Sequence, residues 1–166
     1  ITFHGLTTDT PKLVITDNGK GMDHDDLIDK WLFVAYSAKK DGTEDYRDKI
    51  RSSRIHAGAK GIGRFSCDRL GSRLTIYSRK RGESGGVHRL LVDWSQFERD
   101  LKDEFISIPV TYTELETCPH ELRAGTVLEI EGLRDSWDRA KLLDLKHSLE
   151  RLINPNQDND PDGFAI

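Results

Sequence analysis

The chain has 166 residues and a mass of 18.9 kDa, with 36% hydrophobic and 33% charged residues and a formal charge of -4. That length and composition fit one folded domain with its own core and exclude a disordered chain, and the mild acidity excludes a global basic field for holding nucleic acid, so that any DNA contact must be local. No apolar run approaches the ~18 residues of a membrane span and the N-terminus lacks the basic-then-apolar pattern of a signal peptide, which fits a cytoplasmic setting.

Ile1 to His4 predicts a short extended run, Gly5 to Pro11 a turn, and Lys12 to Thr16 a second, β-branched strand. A chain that starts directly in a strand, with no polar leader or initiating Met, is expected to be a piece of something longer. After Gly21-Met22, Asp23-His24-Asp25-Asp26 supplies an N-cap and an acidic first turn, and Leu27, Ile28, Trp31, Leu32, Val34 and Ala35 follow at helical spacing. From Ser37 to His56 charge is mixed and apolar residues are almost absent, as expected of a loop or weak helix. The cluster Gly58 to Gly63 then opens a second helix, with Ile62, Phe65 and Leu70 at its apolar positions and Gly71 as its C-terminal cap.

The extended runs Leu74 to Ser78, Val87 to Trp94, Phe105 to Tyr112 and Val127 to Ile130 predict a sheet of several strands. Trp137 to Ile153 reads as a helix with Leu142, Leu145, Leu149 and Leu152 on one face, stopped by Asn154-Pro155. The division that follows is a domain over 1–153 and a linker or tail over 154–166. Cys67 and Cys118 lie far apart in the chain, which argues against a disulfide framework or a zinc site. The six histidines are scattered and read as surface residues, and Arg79-Lys80-Arg81 reads as a solvated hairpin end rather than a phosphate contact.

Three short elements carry the chemistry. Asp17-Asn18-Gly19-Lys20-Gly21-Met22 is a D-x-G-x-G turn between a hydrophobic strand and a capped helix, and by itself is equally an Asx-type turn. Gly58-Ala59-Lys60-Gly61-Ile62-Gly63 places glycines where backbone N–H groups can face an anion at a helix start, but fits neither the dinucleotide-binding nor the P-loop pattern. Gly125-Thr126 at the start of a strand means nothing alone.

Taken together and in this order, with Ser37-Ala38-Lys39 after the first helix, they resemble the nucleotide-binding motifs of the GHKL superfamily, named for DNA gyrase, a heat-shock chaperone, histidine kinases and MutL. The resemblance covers roughly Ile1 to Gly132, and the run from Asp17 to Lys39 is most similar to the chaperone and MutL branch. It implies the Bergerat fold: a two-layer α/β sandwich with a mixed, mostly antiparallel sheet and helices on one face. It also implies a site for ATP with magnesium. Asp17 would be a buried carboxylate accepting from the adenine amino group, Gly19 and Gly21 would keep the turn open beside the base, Met22 would pack on the ring, and Thr126 would help hold Asp17 and a water there. Gly61, Ile62, Gly63 and Arg64 would offer amides to the phosphates, with Gly58 and Lys60 as the hinge of a lid and Lys39 ahead of it.

The family carries an earlier helix whose glutamate activates water and whose asparagine holds magnesium; this sequence begins after it, so hydrolysis by these residues alone is not expected. The resemblance implies a protein in which ATP closes the lid and drives homodimerisation through adjoining domains, acting on a protein or DNA client. A histidine-kinase catalytic domain and a non-catalytic interaction module are the alternatives.

Overall fold

A run of apolar and β-branched side chains in Lys12–Asp17 and another in Gly125–Leu133 form strands that pair antiparallel near the middle of a sheet with six strands among the described residues. The computed structural model describes residues 1–32, 66–82, 85–95 and 110–151. Within them the elements are β1 (Thr2–His4), β2 (Lys12–Asp17), α1 (Asp26–Trp31), α2 (Cys67–Leu70), β3 (Gly71–Arg79), β4 (Val87–Asp93), β5 (Val110–Leu115), β6 (Gly125–Leu133) and α3 (Arg139–Glu150). The strands lie in the order β1-β2-β6-β3-β4-β5, and each of these pairings is antiparallel. This is the α/β Bergerat architecture that the resemblance implies.

Register turns single side chains into rows. Leu13, Ile130, Leu74 and Val92 align across β2, β6, β3 and β4, and Ile15, Leu128, Ile76 and Leu90 form the next row on the same face. Leu27, Ile28 and Trp31 from α1 and Cys67 and Leu70 from α2 pack onto these rows, forming the larger core between helices and sheet. On the other face Val14, Val87 and Val127 cluster with Leu122 from the connection between β5 and β6.

Local departures from the sequence reading have physical causes. The first helix is wide: Leu32 N–H donates to Leu27 C=O, five residues back, and Leu27, Ile28, Trp31 and Leu32 all reach the core. Its start is held by a reciprocal pair, with Asp26 N–H donating to Asp23 Oδ1 at 2.8 Å and Asp23 N–H to Asp26 Oδ2 at 3.4 Å. Gly71 does cap α2, its N–H donating to Cys67 C=O, but with an extended rather than left-handed backbone, because α2 runs straight into β3 and Gly71 packs there against Glu131 C=O and the Ile130 side chain. Of the predicted run Phe105 to Tyr112, the described residues form a strand from Val110 that extends on to Leu115.

Cys67 is buried and Cys118 partly so, both as free thiols, and burial pushes the Cys67 thiol up. The expectation of surface histidines fails at two positions. His88 is buried because β4 turns it to the same face as Leu90 and Val92, and its Nδ1 meets the Tyr112 hydroxyl at 2.7 Å. His120 Nε2 lies 3.0 Å from Glu129 Oε2. Val34, Ala35, Ile62, Phe65, Leu152 and the segment from Ser37 to Lys60 lie outside the described residues.

Candidate functional site

One row beyond the apolar floor, the same sheet face turns polar. Asp17, Thr126, Ser78, His88 and Glu114 stand at matching register on β2, β6, β3, β4 and β5, and so share the face that carries α1. The row brings together residues remote in sequence, and two of its members are the first and third motifs found above.

The chain leaves β2 at Asp17 and turns through Asn18 to Met22. Asp17 Oδ1 accepts from Gly19 N–H at 2.8 Å, so the Asx turn exists, and the carboxylate has acceptor capacity beyond that bond. Asp17 is exposed, which corrects the expectation of a buried carboxylate: it is the last residue of β2, past the rows that the helices cover. Gly21 takes φ +71° and lies against the Arg79 backbone, where a Cβ would overlap the carbonyl oxygen. Gly125 stands in the same relation to the Asp17 carbonyl, which lets β6 begin directly beside the turn. Met22 is half-buried and packs on the larger core.

The end of β3 clamps the turn. Arg81 N–H donates to Lys20 C=O at 2.7 Å, and Arg81 Nη2 donates to Asn18 C=O at 3.1 Å. The Lys80 ammonium is bonded to the Asp23 carboxylate and lies 3.4 Å from Asp26 Oδ2. Arg79-Lys80-Arg81 is therefore not a solvated hairpin end, because the neighbouring turn offers carbonyl and carboxylate oxygens within its reach. Burial pushes the Asp23 carboxyl up, but the Lys80 ammonium and the Asp26 N–H outweigh it and hold the group at about 2. The Asp23 carboxylate, with the Asp26 carboxylate beside it, raises the Lys80 ammonium against the opposing effect of burial.

Ser78 was not singled out in the sequence, yet it connects the two motifs. It is fully buried, its Oγ accepts from Met22 N–H at 2.8 Å, donates to Gly125 C=O at 3.0 Å and lies 3.1 Å from Thr126 Oγ1. The available signal was its place in the alternation Leu74, Ile76, Ser78: a hydroxyl at a core-facing position demands partners.

Lys39, Gly58, Lys60, Gly61, Ile62, Gly63 and Arg64 lie outside the described residues, so the structure brings together Asp17, Gly19, Gly21, Met22 and Thr126 from the expected set. Among the described residues no group of three or more His, Cys, Asp or Glu could hold a metal ion. No helix among them is long and apolar enough to cross a membrane. A separate cleft of about 370 Å³, lined by residues including Leu6, Pro11 and Trp137, lies near the start of β2, at the opposite end of that strand from Asp17.

Residues 1–123 match the family model described as histidine kinase-, DNA gyrase B-, and HSP90-like ATPase. The chain is also similar to the chaperone protein HtpG of Rhodococcus jostii (strain RHA1), 33% identical over 78 residues, which is 43% of this chain and 12% of that protein. HtpG of Wolbachia pipientis wMel is 37% identical over 81 residues, 45% of this chain and 12% of that protein. HtpG of Ehrlichia canis (strain Jake) is 36% identical over 84 residues, 47% of this chain and 13% of that protein. The matched part thus spans about an eighth of the length of these curated relatives. Thr126 lies just past the family match, so its place beside Asp17 rests on strand register.

Proposed function

Because the chain belongs to the histidine kinase-, DNA gyrase B- and HSP90-like ATPase family, we propose that the polar row at the end of β2 binds the adenine ring of ATP. The observation that carries the reading is the pairing of Asp17 with Thr126 at matching register, beside a turn held open by Gly21. An exposed carboxylate with free acceptor capacity suits the two N–H donors of the 6-amino group, and a 6-carbonyl in the same place would leave acceptors facing one another.

In this reading Gly19 and Gly21 leave room beside the base and Met22 lies under its edge. The amides of Gly61, Ile62, Gly63 and Arg64 face the phosphates, and Lys39, Gly58 and Lys60 flank them. Magnesium, when bound with ATP, supplies charge that offsets the phosphates. Similarity to HtpG favours a chaperone-type ATPase over a histidine kinase. For the whole protein we extend the proposal to an ATP-operated switch in which closure of the segment from Ser37 to Lys60 drives homodimerisation and rearrangement of adjoining domains around a client.

Titration calorimetry of ATP into the full-length protein and its Asp17→Asn variant tests the adenine contact. Asparagine can still accept from Gly19 N–H, so the turn is kept while the charge and one acceptor are lost. A loss of about 2 kcal/mol or more in binding free energy is expected. Unchanged affinity would overturn the assignment.

A further inference from the structure

The hydroxyl protons of Ser78 and Thr126 can be counted. Ser78 Oγ lies 3.0 Å from Gly125 C=O, which can only accept, so the single Ser78 proton goes there. Its oxygen already accepts from Met22 N–H at 2.8 Å. In the remaining contact, Ser78 Oγ to Thr126 Oγ1 at 3.1 Å, the donor must then be Thr126. Ser78 is thereby saturated, with one donated and two accepted bonds, inside a fully buried position where an unmet group would be costly.

Resting on the adenine-site reading and deepening it, we infer that Ser78 sets the purine specificity of the site by fixing the proton of Thr126. With that proton turned inward to Ser78, Thr126 keeps its register beside Asp17 without donating to it and presents only lone pairs toward the ligand. Asp17 and Thr126 then form an acceptor-only pair. A purine with a 6-amino group satisfies them; a purine with a 6-carbonyl sets oxygen against oxygen. A threonine hydroxyl free to rotate would instead donate to that carbonyl and relax the discrimination. Ser78 is a positioning residue in this scheme, since it acts through Thr126 and does not touch the base.

The experiment is calorimetric titration of the full-length protein with ATP and with ITP, which differ at the 6-position, in the wild type, Ser78→Ala, Thr126→Val and the double variant. The wild type is expected to prefer ATP. Ser78→Ala narrows the ATP-to-ITP affinity ratio about tenfold or more, chiefly by tighter ITP binding. Thr126→Val, close in shape and the safer variant for folding, also narrows the ratio, and Ser78→Ala added to it has no further effect on the ratio. Equal weakening of both nucleotides by Ser78→Ala, or an unchanged ratio in Thr126→Val, overturns the inference while a preference for ATP in the wild type upholds the adenine site. A wild type that binds neither nucleotide overturns both.

Discussion

Gly21 lies so close to the backbone carbonyl of Arg79 that a methyl group on its Cα would overlap that oxygen. The contact joins the turn after β2 to the end of β3, and the neighbouring bonds from Arg81 to Lys20 and Asn18 extend it into a clamp. The turn that carries Asp17 is thus held from outside, by a strand more than fifty residues further along the chain.

Gly21→Ala is expected to be among the most damaging small substitutions in the chain. It combines a left-handed backbone, costing roughly 1 kcal/mol for a residue with a Cβ, with overpacking against a backbone atom that cannot swing away, roughly 1–3 kcal/mol. Urea unfolding should show a loss of about 2–4 kcal/mol, and a midpoint equal to that of the wild type would refute the close approach.

The Asp23–Lys80 pair makes stability depend on pH in a stated direction. The Asp23 carboxyl is depressed in the folded protein, from 3.8 to about 2, so its contribution is complete above about pH 4 and is lost as pH falls toward 2. The Lys80 side chain is 34% exposed, and solvent screening limits the pair to about 1 kcal/mol. Lys80→Met should lower stability at pH 7 by about that amount and flatten the fall between pH 4 and pH 2; parallel acid titrations of the two proteins would contradict this.

Leu27 is fully buried and ties α1 to the apolar rows of the sheet. Leu27→Ala should cost about 2–5 kcal/mol, whereas Leu143→Ala, at a position 44% exposed on α3, should stay within about 0.5 kcal/mol. Chemical denaturation followed by tryptophan fluorescence checks the contrast.

Asp138 caps α3 by accepting from Lys141 N–H at 2.9 Å, and the helix itself has no buried residue. Asp138→Ala should weaken the helix by about 1 kcal/mol. Hydrogen exchange should accelerate at the first turn of α3 and remain slow in β3 and β6; acceleration in those strands would show that the helix is more deeply tied to the sheet than its exposure indicates.

The strands were legible as apolar and β-branched runs set between turn residues, and the two-residue period of a strand then puts Leu74 and Ile76 on one face and Val127 and Ile130 on opposite faces. Asp17 and Thr126 were legible because glycine-bearing motifs stand beside them. Ser78, Lys80 and Arg81 were not, since their partners lie 47 to 63 residues away and a serine before three basic residues looks like the solvated end of a strand. The wide turn of α1 and the extended Gly71 were likewise hidden, because both depend on what the segment packs against.

The place of β6 governs when the molecule can be completed. It is the sixth strand in sequence, yet it sits between β2 and β3, which have no pairing with each other without it. During synthesis β1 to β5 emerge before β6, and the pairings among them form two groups with open inner edges, β1-β2 on one side and β3-β4-β5 on the other. Ser78 lacks Gly125 and Thr126 until β6 enters, so the pairing of Asp17 with Thr126 is completed only then. Its formation is a single late event of long loop closure, which makes it slow relative to local helix formation and leaves the nascent chain to shield two unpaired edges in the interval.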